Sequence, residues 1–94
     1  MTLTSDTETN QATMTVTVRV PNGMDGDLLT DAERRLSRAE GVSGVTAEEI
    51  KRLQPGLSAT DVTIRITVET DAVQSAQSVA DMLESVMGVE VVML

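Results

Sequence analysis

The chain has 94 residues, with 15 acidic against 7 basic side chains, a net charge of −8, and no Cys, His, Phe, Tyr or Trp. That composition excludes disulfides, thiolate metal sites and Cys or His catalysis, and it leaves Val, Leu, Ile, Ala and Met to build one modest core. An acidic surface repels phosphate backbones, so nucleic acid is not an expected partner.

Residues 1–12 hold one large apolar side chain besides Met1, which is Leu3. Such a segment cannot offset its ordering entropy by burial, so a disordered tail is predicted, with a single domain over 13–94. Residues 14–20 alternate. Met14, Val16, Val18 and Val20 point one way, while Thr15, Thr17 and Arg19 point the other. That is a strand, ended by Pro21, which has no N–H for a ladder. Residues 22–27, NGMDGD, read as a loop. Asp27 is the expected N-cap of a helix, with Thr30 and Glu33 as a competing capping box. Leu29, Ala32, Leu36 and Ala39 follow at helical spacing, and Gly41 is the expected residue after the helix end.

Residues 46–53, TAEEIKRL, lack alternation. They fit either an edge strand with a bulge or a short helix capped by Thr46 and Glu49. The strand is favoured because residues 61–69, DVTIRITVE, form a cleanly alternating strand that needs an antiparallel neighbour. Residues 54–60 then serve as the hairpin loop. Asp71 with Gln74 is the expected cap of a second helix. Its apolar stripe is Val73, Ala76, Ala80, Leu83 and Met87, flanked by Val79 and Val86. Gly88 ends it. A last strand follows with Val89, Val91 and Met93 toward the core, and with Glu90, Val92 and Leu94 facing away.

The two halves repeat weakly. Ala32, Leu36 and Gly41 align with Val79, Leu83 and Gly88, and Val16, Val18 and Val20 align with Ile64, Ile66 and Val68. Two βαβ units in series give an α+β fold, a ferredoxin-like βαββαβ sandwich. Its four-stranded antiparallel sheet is expected in the order 4-1-3-2, with two helices on one face.

Gly23-Met24 after a strand, a helix with Glu33 and Leu36, and then Gly41-Val42-Ser43-Gly44-Val45 resemble the heavy-metal-associated domain. That family binds soft metals through two Cys just after the Gly-Met. Gly26 and Leu29 stand at those places here, so the resemblance implies the fold and not the metal. Gly26-Asp27-Leu28 resembles the Gly-x-Leu that opens the first helix of ACT-like regulatory domains. The Asp and Pro that normally precede that Gly are not in register, and Asp25 adjoins it instead. This resemblance implies a small-molecule effector at Asn22, Gly23, Asp25, Gly26 and Asp27, near a dimer interface. Acid excess with a single Lys also resembles proteins of salt-accumulating halophiles.

Other chemistry is sparse. Asp25, Asp27 and Asp31 lack the six to eight oxygens that calcium takes, and they read as acids at the favourable end of a helix. No metal or cofactor is expected. Glu48 and Glu49 are the carboxylates that an enzyme would use, without a base or nucleophile beside them. Arg19 and Arg65 sit on the non-helix side of central strands, in a Thr-rich face with no aromatics on which bases could stack. Val92 and Leu94 are apolar on the outer face of an edge strand. Together with Arg19 and Arg65 they form the expected contact of a homodimer. No apolar run approaches the roughly 20 residues of a membrane span, and no secretory pattern opens the chain, so a cytoplasmic location is expected. The expected function is a non-enzymatic protein-interaction or small-ligand regulatory module. A small carboxylate-using enzyme is the alternative.

Overall fold

Alternating β-branched residues build the sheet, and the helices close over the apolar side of it. The computed structural model describes residues 9–22 and 27–94. The elements are β1 (Thr9–Pro21), α1 (Leu28–Leu36), β2 (Val42–Pro55), β3 (Ala59–Gln74), α2 (Ala76–Glu84) and β4 (Val89–Met93). All pairings are antiparallel, in the order β2-β3-β1-β4. Counted from the β4 edge, the same sheet reads 4-1-3-2.

β1 and β3 make the centre. Met14 lies opposite Ile66, Val16 opposite Ile64 and Val18 opposite Val62. Directly opposed residues share a face, so these side chains form one apolar layer. Ala32, Leu36, Val79, Ala80 and Leu83 from the helices cover it, and all are buried. Each fully buried Leu, Ile or Val contributes about 1.5–3 kcal/mol of transfer energy. The other face, with Thr13, Thr15, Thr17, Arg19, Thr63, Arg65, Thr67 and Glu69, carries no helix among the described residues.

The helix starts follow from caps. The Asp27 carboxylate accepts the Thr30 N–H at 2.7 Å. Ser75 Oγ accepts the Ser78 N–H at 3.1 Å. Gly41 and Gly88 take φ of +92° and +86° at matching places in the two halves, a region that L side chains avoid.

Several expectations need correction. β1 begins at Thr9, so residues 9–12 join the sheet instead of the predicted tail; residues 1–8 lie outside the described residues. β3 runs on to Gln74, so Ser75 caps α2 and Asp71 does not. The reason is tertiary. The Asp71 N–H donates to the Gly41 carbonyl at 3.0 Å, and the Thr70 hydroxyl donates to the Ala72 carbonyl at 2.6 Å, which holds this stretch extended. Val73 therefore precedes the helix, and Met87 follows it; both are exposed. Both helices end earlier than the glycines suggested, at C-caps Ser37 and Ser85. The β2–β3 hairpin is tighter than 54–60, because β2 reaches Pro55 and Gly56 N–H donates to the Ala59 carbonyl at 2.8 Å.

Residues 46–53 are strand, as favoured, and their missing alternation has a cause. β2 shifts register against β3 between Val42 and Gly44, between Ala47 and Glu49, and between Ile50 and Arg52. Each shift inserts one extra residue: Ser43, Glu48 or Lys51. Bulges of this kind change a period of two into a local period of three. Val45, Ala47, Ile50 and Leu53 lie opposite Val68, Ile66, Ile64 and Val62, on the helix side. In β4 a shift at Val92 puts Met93 opposite Thr15. Met93 is thus on the open face and 66% exposed, not in the core as expected.

Candidate functional site

The face of the sheet turned away from the helices is an organised polar surface. It is built as a ladder of cross-strand pairs between β1 and β3. Gln11 Nε2 donates to Glu69 at 3.0 Å. Hydroxyls of Thr13 and Thr67 meet at 3.2 Å, and those of Thr17 and Thr63 at 2.8 Å. Arg19 Nε donates to Asp61 at 3.2 Å. Facing Thr pairs of this kind stabilise an antiparallel ladder and hold their hydroxyls in fixed rows. Arg65 rises in the middle, opposite Thr15 on one side and Glu49 on the other. It forms no ion pair with a described residue, since Glu49 pairs with Lys51 at 3.3 Å. Among the described residues Arg65 is therefore an exposed cation without an ion-pair partner, in a floor of hydroxyls.

Of the expected contact residues, the structure brings Arg19 and Arg65 onto this face. Arg19 is partly neutralised by Asp61; the pair is exposed and worth little to stability. Val92 and Leu94 lie at the β4 end and are exposed. With Val91, Met93, Gln77 and Ala80 they line a small cavity of about 180 Å³. A second groove of about 550 Å³ joins Arg19 and Asp61 to Met87, Gly88 and Glu90.

The expected effector site looks different once its partners are known. Asn22 Nδ2 donates to the Gly56 carbonyl at 3.1 Å, and its Oδ1 accepts the Thr60 hydroxyl at 2.9 Å. Its own N–H donates to the Ser58 carbonyl at 2.9 Å. Asn22 thus clamps the end of β1 to the β2–β3 turn. Asp27 is spent on the helix cap, and the Thr30 N–H holds its carboxyl below the ordinary value of 3.8. Gly23, Asp25 and Gly26 lie outside the described residues. Asp31 is buried at the start of α1 and accepts Arg34 Nη1 at 3.0 Å. A larger groove, about 690 Å³, is at the opposite end of β1. Asn10, Gln11, Thr13, Ser43, Glu69 and Thr70 line it.

Sequence reasoning missed this groove. Its signal was the Ser43-Gly44 pair, which marks the first bulge of β2. It also missed two edge clasps. Glu33 Oε2 accepts the Ala47 N–H at 2.8 Å, and Glu84 Oε2 accepts the Val91 N–H at 3.0 Å. Each helix thereby fixes a bulge in the edge strand beside it.

For chemistry the arrangement offers little. Glu48 accepts the Thr67 hydroxyl at 3.0 Å, and Glu49 is tied to Lys51. Among the described residues no three acidic, His or Cys side chains are grouped to hold a metal ion, and no helix is long and apolar enough to cross a membrane. No family model, no curated protein and no solved structure matches the chain.

Proposed function

We propose that the protein is a non-catalytic interaction module with a ferredoxin-like fold, a homodimer that receives a partner on its open sheet face. The observation that carries this reading is that face itself, with its rigid Thr rows around Arg65, a cation without an ion-pair partner among the described residues. A row of pre-ordered hydroxyls loses little entropy on binding, and a lone guanidinium selects a carboxylate-bearing surface. The connectivity βαββαβ with order β2-β3-β1-β4 supports the fold name.

The test is a photo-crosslinking residue placed at Thr15, opposite Arg65 on the same face, in cells, with a control at Arg38 on the exposed side past α1. A discrete adduct from position 15, absent from position 38 and lost on Arg65→Glu, supports the reading. Equal background from both positions sinks it. A regulatory module for a small effector is the second reading, favoured by the groove of about 690 Å³ between Asn10 and Thr70. A thermal-shift screen with amino acids, nucleotides and divalent ions separates the two. A saturable shift abolished by Ser43→Trp selects the effector.

A further inference from the structure

The edge formed by β2 is long, and residues 48–55 are exposed along it. Its three-residue period sorts side chains by chemistry. Ala47, Ile50 and Leu53 lie on the helix side, with Ile50 45% and Leu53 47% exposed. Glu48, Glu49, Lys51 and Arg52 all reach the other side. Glu48 bonds the open-face Thr67, Glu49 lies opposite Arg65, Lys51 bridges to Glu49, and Arg52 lies opposite Thr63. The segment is therefore half-exposed apolar on one face and charged on the other.

It is also self-complementary. Lay a second β2 antiparallel beside the first, with a two-fold axis at Ile50. Ile50 then meets Ile50 of the second copy, and Ala47 meets Leu53. Glu48 meets Arg52, and Glu49 meets Lys51. Every apolar residue falls against an apolar one, and every charge against its opposite, on the same face. Three bulges bend this edge, one of the devices that guard a strand against pairing, but another, like charges set across the axis, is missing. This order does the reverse, in a chain of net charge −8 whose single Lys sits at this point. The four charges of residues 48–52 sum to zero, so the contact escapes the repulsion that acts between the rest of the two surfaces.

We infer that two copies of this chain join through their β2 edges about a two-fold axis at Ile50, forming one eight-stranded sheet from two four-stranded ones. Ile50 and Leu53 are the apolar anchors, and the charged pairs fix the register. This places the partner copy on β2, not on β4, because β2 is 14 residues long and β4 only 5. A helix glutamate takes one N–H on each edge, Ala47 by Glu33 and Val91 by Glu84, so on β2 the backbone pairing lies beyond Ala47, around Ile50. The inference rests on reading the protein as an interaction module, but it leaves the Arg65 face free for a further partner.

The experiment uses two variants of the full chain, Glu48→Lys with Glu49→Lys, and Lys51→Glu with Arg52→Glu. Self-association is measured by sedimentation at moderate salt. Wild type is expected to dimerise with a dissociation constant on the order of micromolar, as suits a contact at the small end of stable interfaces. Each variant sets like charges across the axis and should weaken self-association by about tenfold or more. An equimolar mixture of the two restores opposite charges at every pair and should re-form a heterodimer near wild-type strength. That rescue also shows that both variants are folded. A monomeric wild type at high concentration overturns the inference. So do variants that still dimerise alone, or a mixture that stays monomeric. The position-15 crosslink is scored in the same variants; its survival in a monomer, or its loss in an intact dimer, shows which of the two readings has failed.

Discussion

At the scale of single residues, side chains that resemble a ligand set turn out to hold the backbone. Asn22 makes three hydrogen bonds, two to the β2–β3 turn and one with Thr60 at the start of β3, and Asp27 caps α1. The Asp27 cap was legible because N-cap chemistry is local. The second cap was not, because Asp71 and Ser75 satisfy the same local rule; the Gly41 carbonyl, distant in sequence, decides between them by holding residue 71 extended. The Asp27 cap carries a pH signature. Its carboxyl titrates lower in the fold than the ordinary 3.8, chiefly through the Thr30 N–H. The charged form is the one the fold favours, so the contribution is complete above that ordinary value and is lost as pH falls through the lowered one. Asp27→Asn keeps the acceptor but cannot titrate. Near neutrality it should melt close to wild type, whereas Asp27→Ala should melt lower at the same pH. In acid, the Asn variant should lose less stability than wild type. Parallel melting profiles of wild type and the Asn variant from neutral to acid pH would remove the carboxylate from the account.

Among the elements, legibility tracked periodicity. From Gln11 to Pro21 in β1 and from Ala59 to Glu69 in β3 the alternation is uninterrupted, so the faces there, and the placement of Arg19 and Arg65, followed from spacing alone. β2 did not, because three bulges give it a repeat near three, close to the 3.6 of a helix. Bulges are fixed by contacts such as Glu33 with the Ala47 N–H, which pairs residues from different elements. The same limit hid the bulge at Val92 that turns Met93 outward. The helices were legible in their inner faces and not in their ends. Leu36 and Leu83, equivalent in the two halves, are each fully buried. Truncation to Ala at either place should cost about 2–5 kcal/mol, the range for large-to-small changes in a packed core. Chemical denaturation should give similar losses for both. A near-neutral value for one would mean that its helix does not seat on the sheet as its counterpart does.

For the molecule as a whole, charge is the dominant surface property. Fifteen acids against 7 bases leave −8 on a fold whose core is made of small aliphatic side chains. Glu40, Asp71, Asp81 and Glu90 are exposed, so their mutual repulsion acts through water and is screened by salt. The unfolded chain spreads the same charges over a larger volume, so screening relieves the folded state more. Unfolding midpoints should therefore rise from dilute buffer to molar KCl. The shape of the rise identifies its cause. The Debye length falls from about 10 Å at 0.1 M to about 3 Å at 1 M, so a screening effect gains most at low salt and then levels off. A gain that grows steadily with KCl is instead the effect of salt excluded from apolar surface. Glu40→Gln with Asp81→Asn removes two of the repelling charges without touching the core, and it should raise the midpoint in dilute buffer while leaving it nearly unchanged in molar KCl. Equal shifts at both salt concentrations, or a midpoint that ignores KCl altogether, would mean that the acidic surface does not govern stability and would leave the resemblance to halophile proteins without a physical basis.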